Sequence, residues 1–317
     1  MRIVLWPSIA GQEIAARLRR IPGVELAIVE DVAQLSAAIP DAEALVIGGH
    51  FFKADAAKVL HERAERLHFI QTFTAGYEGL QEHGVPPGVT VANAGDAWSP
   101  AVAEHGMALL LALVKCLEPT ILNRPKHAWD RTHTVRMGSL EGMTLAIVGY
   151  GSIGRSFARL ARPFGMHIVG LRRSPEPDAL VDEVRPIAEL DAVLARADVM
   201  LVAVPYSKET EKMIGAAQFG ACKQGALLIN LARGGLVDQR AMAAALKSGK
   251  LGGAAVDVTD PEPLPADDPF WDSPNLILTP HVAGASGPAG RNRLAAFVGA
   301  NVSRFVAGEP VMHVVTL

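Results

Sequence analysis

Met143–Gly154 reads MTLAIVGYGSIG, which is a strand, a turn and the start of a helix. Thr144–Val148 is a short apolar run bounded by glycine, and this predicts a buried strand. Gly149–Gly154 fits G-x-G-x-x-G, and an amphipathic stretch at helical spacing follows. The first glycine permits a tight turn, the second lets the backbone approach a pyrophosphate, and the third lets the helix pack closely on the strand. The helix N-terminus adds free N–H groups, so the stretch predicts a dinucleotide site. The predicted contacts are Gly149, Gly151, Ser152, Ile153 and Gly154.

Composition restricts the class of protein. The chain has 317 residues, of which 50% are hydrophobic, and this is enough for a large core and two domains. A formal net charge of −3 gives no sign of a nucleic-acid partner. The longest uncharged apolar stretch, Gly106–Val114, is too short to cross a bilayer, and no signal peptide is visible. Cys116 and Cys222 lack metal-ligand spacing, so we expect a reduced, cytoplasmic protein without a metal site.

Short apolar strands alternate with helical segments over residues 1–95 and again over residues 143–280. This alternation predicts an α/β fold with two doubly wound, parallel-sheet (Rossmann-like) domains and a cleft between them. Five strands are predicted in the first unit and six in the second. The closing apolar helix is expected to return to the first unit. The predicted domains are a discontinuous, flavodoxin-like substrate domain, residues 1–98 and 285–317, and a dinucleotide-binding domain, residues 99–284.

One long helix is predicted at the start of the second domain, over residues 101–122. Ser99 as N-cap and Pro100 at the first helical position mark its beginning. It is apolar over most of its surface, which suits burial between domains or in a homodimer interface. Trp129, in the loop that follows, is interpreted as a packing anchor.

The end of the second strand in the dinucleotide-binding domain indicates which cofactor is bound. In an NAD site an acidic residue about 20 residues after the glycines binds the ribose diol. Here the strand ends at Arg172, Arg173 and Ser174. Guanidinium groups form bidentate, charge-assisted bonds to phosphate, so they suit the 2′-phosphate of NADP. We therefore expect NADPH to be preferred and NADH to be a second cofactor; the alternative is a solvated basic turn.

Three polar residues follow strands of the same domain: Arg233 in NLARGGLVD, Glu262 in DVTDPEPL and His281 in TPHVAG. Together with other motifs they resemble the D-isomer-specific 2-hydroxyacid dehydrogenases, and more loosely the glyoxylate and hydroxypyruvate reductase branch. The resemblance covers nearly the whole chain. The other motifs are Gly149–Gly154, Val102-Ala103-Glu104-His105 and Val204-Pro205 with Glu209-Thr210.

The resemblance implies that His281 is the proton donor when a 2-keto acid is reduced, and that Glu262 pairs with it. Arg233 would hold the substrate carboxylate and polarise the carbonyl. These residue types fit the chemistry, because histidine changes charge near neutral pH and a guanidinium matches a planar carboxylate. The resemblance also implies backbone contacts from Ala75 and Gly76 to the substrate. The other implied contacts, all with the cofactor, are Val204, Pro205, Thr210, Leu231, Ala232, Gly284 and, beside the nicotinamide carboxamide, Asp257.

The expected function is hydride transfer between NADPH or NADH and a small 2-keto or D-2-hydroxy acid, such as glyoxylate or hydroxypyruvate. Two alternatives stay open. A formate-type dehydrogenase needs no proton donor, and its relatives carry glutamine at the position of Glu262. A nucleotide-sensing protein or corepressor would keep the fold without the chemistry. The substrate is not fixed, because Phe51, Phe52 and Trp98 lie in loops that shape a pocket. His105 receives no role and is interpreted as a packing or solvated residue.

Overall fold

The computed structural model describes all 317 residues, and they form two compact α/β units. Unit 1 contains Met1–Trp98 and Ser286–Leu317, and unit 2 contains Ser99–Ala285. Each unit is built on its own parallel sheet. The predicted α/β fold with two parallel sheets is confirmed.

Unit 1 has a five-stranded sheet in the order β2-β1-β3-β4-β5. Its strands are β1 (Arg2–Trp6), β2 (Glu25–Ile28), β3 (Ala44–Ile47), β4 (Phe69–Thr72) and β5 (Thr90–Ala92). Its first four helices are α1 (Gly11–Leu18), α2 (Val32–Ala38), α3 (Ala54–Arg63) and α4 (Glu78–His83). Every residue of β3 and β4 is buried, as expected of parallel strands covered by helices on both faces.

Unit 2 has a seven-stranded sheet in the order β12-β11-β10-β9-β6-β7-β8. Its strands are β6 (Thr144–Val148), β7 (His167–Arg172), β8 (Glu183–Pro186), β9 (Val199–Val202), β10 (Ala226–Asn230), β11 (Leu251–Val256) and β12 (Leu276–Leu278). Its helices are α5 (Ser99–Val114), α6 (Leu117–Asn123), α7 (Ser152–Ala161), α8 (Leu190–Leu194), α9 (Ala216–Ala221) and α10 (Gln239–Lys247). The prediction of six strands was wrong by one, because β8 was missed.

The predicted helix over residues 101–122 was also wrong, because the chain breaks into α5 and α6. Cys116 lies between them in the left-handed conformation, with φ of 45°. Pro119 explains the break, since in a continuous helix its ring would clash with the carbonyl of Lys115 and it has no N–H to donate.

No single helix of the protein is long and apolar enough to cross a membrane. The segments Ser99–Val114 and Leu117–Lys126 have the combined length and composition, but the chain is bent by 76° between them.

Helix α5 packs inside unit 2, against α7, β10 and β11. The approach to α7 is close, because a Cβ added at Gly106 would lie 2.4 Å from Leu231 Cδ1 and 2.9 Å from Phe157 Cε2. The apolar surface of α5 is therefore largely used within its own unit. Trp129 is 95% exposed, so its interpretation as a packing anchor was wrong.

The last helix, α11 (Pro288–Val306), packs against α1 in unit 1, and Arg291 Nε lies 2.7 Å from Glu13 Oε1. The chain then runs along β5, where Ala92 and Val314 form an antiparallel bridge. Asn301, fully buried, donates to Gln71 Oε1 at 2.6 Å and to the Met312 carbonyl at 3.0 Å. These bonds fix the C-terminal segment to unit 1.

Candidate active site

The carboxyl edge of the unit 2 sheet brings the predicted polar residues together. Arg233 follows β10, Glu262 lies in the loop after β11, and His281 follows β12. These three strands are adjacent and parallel, so their carboxyl ends share one edge. The first two loops touch, because a Cβ added at Gly234 would lie 2.1 Å from the Thr259 carbonyl carbon. The structure therefore places the three residues on neighbouring loops.

His281 and Glu262 form a direct pair. Glu262 Oε1 lies 2.5 Å from His281 Nδ1, and both side chains are partly exposed. Because a carboxylate only accepts, Nδ1 carries a proton in this bond, and Nε2 remains on the opposite side of the ring. The ring orientation is therefore set by Glu262, and Nε2 is the atom available to a ligand.

The turn that carries His281 is held by Asp257, whose exposed fraction is 1%. The Asp257 carbonyl accepts from the His281 N–H at 2.8 Å. Its carboxylate accepts from the Val282 N–H at 2.9 Å, the Ala283 N–H at 2.8 Å and the Thr279 hydroxyl at 2.6 Å. His281 has φ of 51°, a conformation that non-glycine residues adopt only when surroundings impose it. Asp257 supplies that constraint, and its contact with the nicotinamide carboxamide stays a prediction.

Arg233 is positioned by the end of β10. Asn230, 1% exposed, donates to the Arg233 carbonyl at 2.9 Å and accepts from the Ala232 N–H at 3.1 Å. Arg233 Nη1 also donates to the Ala232 carbonyl at 2.7 Å. Sequence reasoning assigned no role to Asn230 or Thr279. A polar residue at the end of an otherwise apolar strand was the signal, because a buried amide or hydroxyl needs local partners.

The glycine loop has the shape that a pyrophosphate requires. Gly149 has φ of 101°, and a Cβ there would lie 2.4 Å from Val204 N. A Cβ at Gly154 would lie 2.7 Å from the Gly149 carbonyl oxygen and 2.8 Å from Ile147 Cγ2, so α7 packs tightly on β6. A Cβ at Gly151, in contrast, would meet no atom within 4 Å. The open side of Gly151 and the first N–H groups of α7, from Ser152 and Ile153, therefore fit a dinucleotide phosphate.

The basic turn at the end of β7 lies next to the glycine loop, because β7 pairs with β6 and both segments follow these strands at the carboxyl edge of the sheet. Arg172 is half-buried, and Arg173 and Ser174 are exposed. The carboxylate of Asp178 accepts from the Tyr150 hydroxyl at 2.9 Å and from the Leu180 N–H at 3.1 Å, and it also pairs with Arg155. Burial raises the pKa of Tyr150, so the phenol keeps its proton for this bond. Asp178 is therefore occupied within the protein and does not replace a ribose-binding acid.

The other predicted cofactor contacts lie in loops at the same sheet edge. Thr210 Oγ1 donates to the Pro205 carbonyl at 2.9 Å and accepts from the Ser207 N–H at 2.8 Å, which closes the loop after β9. Val204, Leu231 and Ala232 are buried. Gly284, after β12, is half-buried.

The predicted substrate contacts Ala75 and Gly76 lie in unit 1, in the loop after β4. Thr74 Oγ1 donates to the Gly76 carbonyl at 2.8 Å and accepts from the Gly49 N–H at 2.9 Å. Asn93 Nδ2 donates to the Ala75 carbonyl at 3.0 Å. The loop is thus tied to the loops after β3 and β5.

Three aromatic residues lie close to these unit 1 loops. Phe51 stacks on Trp6 with ring centroids 5.1 Å apart, and Phe52 is buried. Trp98 Nε1 donates to the Phe73 carbonyl at 2.9 Å. These side chains pack against the core of unit 1. Their contact with a substrate stays a prediction.

Comparison with known proteins places the chain among the dehydrogenases. Residues 107–283 match the family model described as D-isomer specific 2-hydroxyacid dehydrogenase, NAD binding domain. The chain belongs to this family. It is therefore an oxidoreductase with an NAD-binding domain, and the matched residues contain the glycine loop, Arg233, Glu262 and His281.

Three similar proteins span most of this chain. Glycerate dehydrogenase of Methylorubrum extorquens is 39% identical over 231 residues, which cover 70% of each chain. D-3-phosphoglycerate dehydrogenase of Methanocaldococcus jannaschii is 32% identical over 95% of this chain, but this dehydrogenase chain spans only 56% of that relative's length. The crystal structure of an NADPH-dependent glyoxylate/hydroxypyruvate reductase from Sinorhizobium meliloti, in complex with NADP and sulfate, superposes with a TM-score of 0.84 at 27% identity, over 99% of this chain and 98% of the other.

Proposed function

We propose that this family member reduces small 2-keto acids to D-2-hydroxy acids, prefers NADPH, and acts on glyoxylate or hydroxypyruvate. The observation that carries the proposal is the His281–Glu262 pair at 2.5 Å, on the sheet edge that also carries Arg233 and the glycine loop. Glyoxylate and hydroxypyruvate are named for the Sinorhizobium reductase, and glycerate for the Methylorubrum relative. All three names describe small 2-oxygenated acids.

The residues divide the chemistry as follows. NADPH, when bound, supplies the hydride that reaches the carbonyl carbon of the keto acid. His281 Nε2 gives a proton to the carbonyl oxygen, which would otherwise become an alkoxide, so the C=O bond becomes an alcohol. Glu262 keeps the ring in place and stabilises the positive charge that His281 carries before the transfer. Arg233 binds the substrate carboxylate through two parallel bonds and stabilises negative charge on the carbonyl oxygen.

The NADPH preference is supported by the turn after β7. Arg172, Arg173 and Ser174 offer two guanidinium groups and a hydroxyl to the 2′-phosphate, and Asp178 is engaged with Tyr150 and Arg155. An ionised carboxylate at the ribose would repel that phosphate. The Sinorhizobium reductase carries NADP in its crystal structure.

A homodimer is proposed from the apolar surface of unit 2. Six of the fourteen large hydrophobic residues that the chain exposes lie in one stretch, residues 117–137. They are Leu117, Ile121, Leu122, Trp129, Val135 and Met137. The same stretch borders a cavity of about 290 Å³. Concentrated exposure of large apolar side chains is typical of protein interfaces, and a two-fold axis would let each copy cover the stretch of the other. The interface therefore lies after α5 instead of on it.

The proposal is tested by the loss of reduced-nicotinamide absorbance with glyoxylate, hydroxypyruvate and a bulky 2-keto acid, each with NADPH and NADH. We expect turnover of a small acid with NADPH, and a loss of about 100-fold or more in kcat for His281→Ala, since general acid catalysis contributes about that much. Unchanged turnover in His281→Ala would refute the mechanism. Tight NADPH binding without turnover of any acid would favour the sensor alternative.

A further inference from the structure

A chain of polar groups runs from helix α5 to the turn that carries His281. His105, on α5, places Nε2 at 3.1 Å from Thr279 Oγ1 and at 3.6 Å from Asp257 Oδ1. Thr279 Oγ1 is in turn 2.6 Å from Asp257 Oδ1. His105 has no predicted role from its sequence context, and it takes no part in the proton and hydride transfers proposed for the reaction.

The direction of these bonds follows from what each group can donate. The Asp257 carboxylate accepts from two backbone N–H groups, so the Thr279 hydroxyl gives its single proton to Oδ1. Thr279 Oγ1 then accepts from His105, which requires a proton on Nε2 of His105. The order of donation is therefore His105 to Thr279 to Asp257.

We propose that His105 is a positioning residue for His281, acting through Thr279 and Asp257; this inference rests on the proposed role of His281. Asp257 holds three consecutive N–H groups, those of His281, Val282 and Ala283. The backbone carbonyl of Asp257 accepts the first of these, and its carboxylate accepts the other two, one on each oxygen. The Thr279 hydroxyl, backed by His105, adds a third bond to the carboxylate at Oδ1 and fixes its orientation. Without the His105 donor, the Thr279 hydroxyl can rotate and Asp257 loses its lock.

Loss of the His105 donor is expected to lower kcat, because it disturbs the position of His281. His281 adopts a positive φ that is maintained only by the surrounding bonds, so a loosened Asp257 lets its ring drift from the keto acid. Misplacement of a reacting group by about 1 Å costs up to about 100-fold in rate. The proposed carboxylate contact, Arg233, lies outside this chain of bonds, so binding of the keto acid should change much less than turnover.

The test compares His105→Gln with His105→Leu. Glutamine keeps an N–H donor near the position of Nε2, and leucine has similar bulk without a donor. We expect His105→Leu to lower kcat about tenfold, with KM for the keto acid within about twofold of wild type. The melting temperature should fall by no more than about 2–4 °C, since one hydrogen bond contributes about 1 kcal/mol. His105→Gln should recover most of kcat. His61→Leu, at an exposed histidine on α3, is the matched control and should leave kcat unchanged.

Thr279→Val provides a second, independent break in the same chain. We expect it to lower kcat as His105→Leu does, and the double variant to lose no more than either single one, since both interrupt one path. Wild-type kcat in His105→Leu and Thr279→Val overturns the inference. So does an equal loss of kcat in His105→Gln and His105→Leu, because a residue that acts through its N–H donor must be rescued by glutamine.

His281→Ala in the same assay separates the two proposals. If it keeps turnover, the proposed function fails and takes this inference with it. If it loses turnover while the His105 and Thr279 variants keep theirs, only the inference fails.

Discussion

Two glycines of the G-x-G-x-x-G motif have different roles, although only three positions separate them. Gly151 faces open space and has φ of −102°, which any residue adopts. Gly154 lies against the Gly149 carbonyl and Ile147. Gly151 therefore leaves room for a ligand, whereas Gly154 allows close packing of α7 on β6. Adding a methyl group at each position should affect ligand binding in the first case and stability in the second.

We expect Gly151→Ala to weaken NADPH binding at least tenfold, because its methyl group occupies the space needed by the pyrophosphate. Its free energy of unfolding should change by less than about 1 kcal/mol, since only an N-cap preference is lost. Gly154→Ala, the matched variant, should lower that free energy by about 1–3 kcal/mol through overpacking. Fluorescence titration and urea unfolding measure the two quantities. Full NADPH affinity in Gly151→Ala would contradict the assignment of this loop.

The arginines after β7 give a second prediction for single side chains. Replacing Arg172 and Arg173 together by alanine should raise KM for NADPH about 10- to 100-fold, because bonds to a charged phosphate are worth about 1.5–3 kcal/mol. KM for NADH should stay within about twofold. Initial rates with both cofactors measure this, and Arg240→Ala, at an exposed arginine on α10, is the control. An equal rise for both cofactors would show that these arginines do not read the 2′-phosphate.

Among the elements, the edge strand β8 is connected to the residues after α8 by one carboxylate, in addition to its pairing with β7. Glu183 binds Arg196 through two bonds of 2.6 and 2.8 Å, and it also contacts His167 at 3.1 Å and Arg185 at 2.9 Å. The Arg196 guanidinium, helped by His167 and Arg185, holds the pKa of the Glu183 carboxyl far below its usual range. The edge strand and the end of α8 are thereby connected.

We expect Glu183→Gln to lower the free energy of unfolding at pH 7 by about 1–2 kcal/mol, as charge-assisted bonds weaken. Because the folded-state pKa lies below the ordinary value of 4.5, this stabilisation is present above pH 4.5 and is lost as the pH falls through the folded pKa. The variant and wild type should therefore converge in acid. Urea unfolding of both proteins from pH 7 to pH 2 tests this: the difference should start to shrink below pH 4.5 and be smallest at pH 2, with Glu211→Gln, at an exposed glutamate, as the control. A difference that persists unchanged at pH 2 would argue against it.

The same elements show where sequence patterns mislead. β8 carries Glu183 and Arg185, and as an edge strand it pairs only with β7, so no apolar alternation marks it. The apolar run from Ala101 onward continues past residue 116, and this hid the break between α5 and α6. Pro119 was the available signal, because a proline is tolerated only in the first turn of a helix. The apolar helices and strands of the core were therefore predictable, whereas a polar edge strand and a break inside an apolar run were not.

For the molecule as a whole, two parallel sheets were predictable because strand-like and helix-like segments alternate in two separate parts of the sequence, residues 1–95 and 143–280. It also predicted which side chains follow the strands, and parallel strands bring such residues to one edge. The bonds that orient His281 were not predictable, since Asp257, Thr279 and His105 are far apart in sequence and meet only in the folded sheet. The distance between Glu262 and His281 was not predictable for the same reason, since it depends on how the loops after β11 and β12 fold.

The exposed apolar stretch leads to the last prediction, which concerns assembly. We expect the protein to be a dimer with twice the chain mass of 33.5 kDa, and Ile121→Glu with Val135→Glu to reduce it to a monomer. Both side chains are exposed in the single chain, at 65% and 89%, so the monomer should still fold, whereas burying two unpaired carboxylates in an interface is costly. Analytical ultracentrifugation measures the mass, and Phe164→Glu, an exposed residue elsewhere in unit 2, should leave it unchanged. A monomeric wild type, or a double variant that stays dimeric, would move the interface away from residues 117–137.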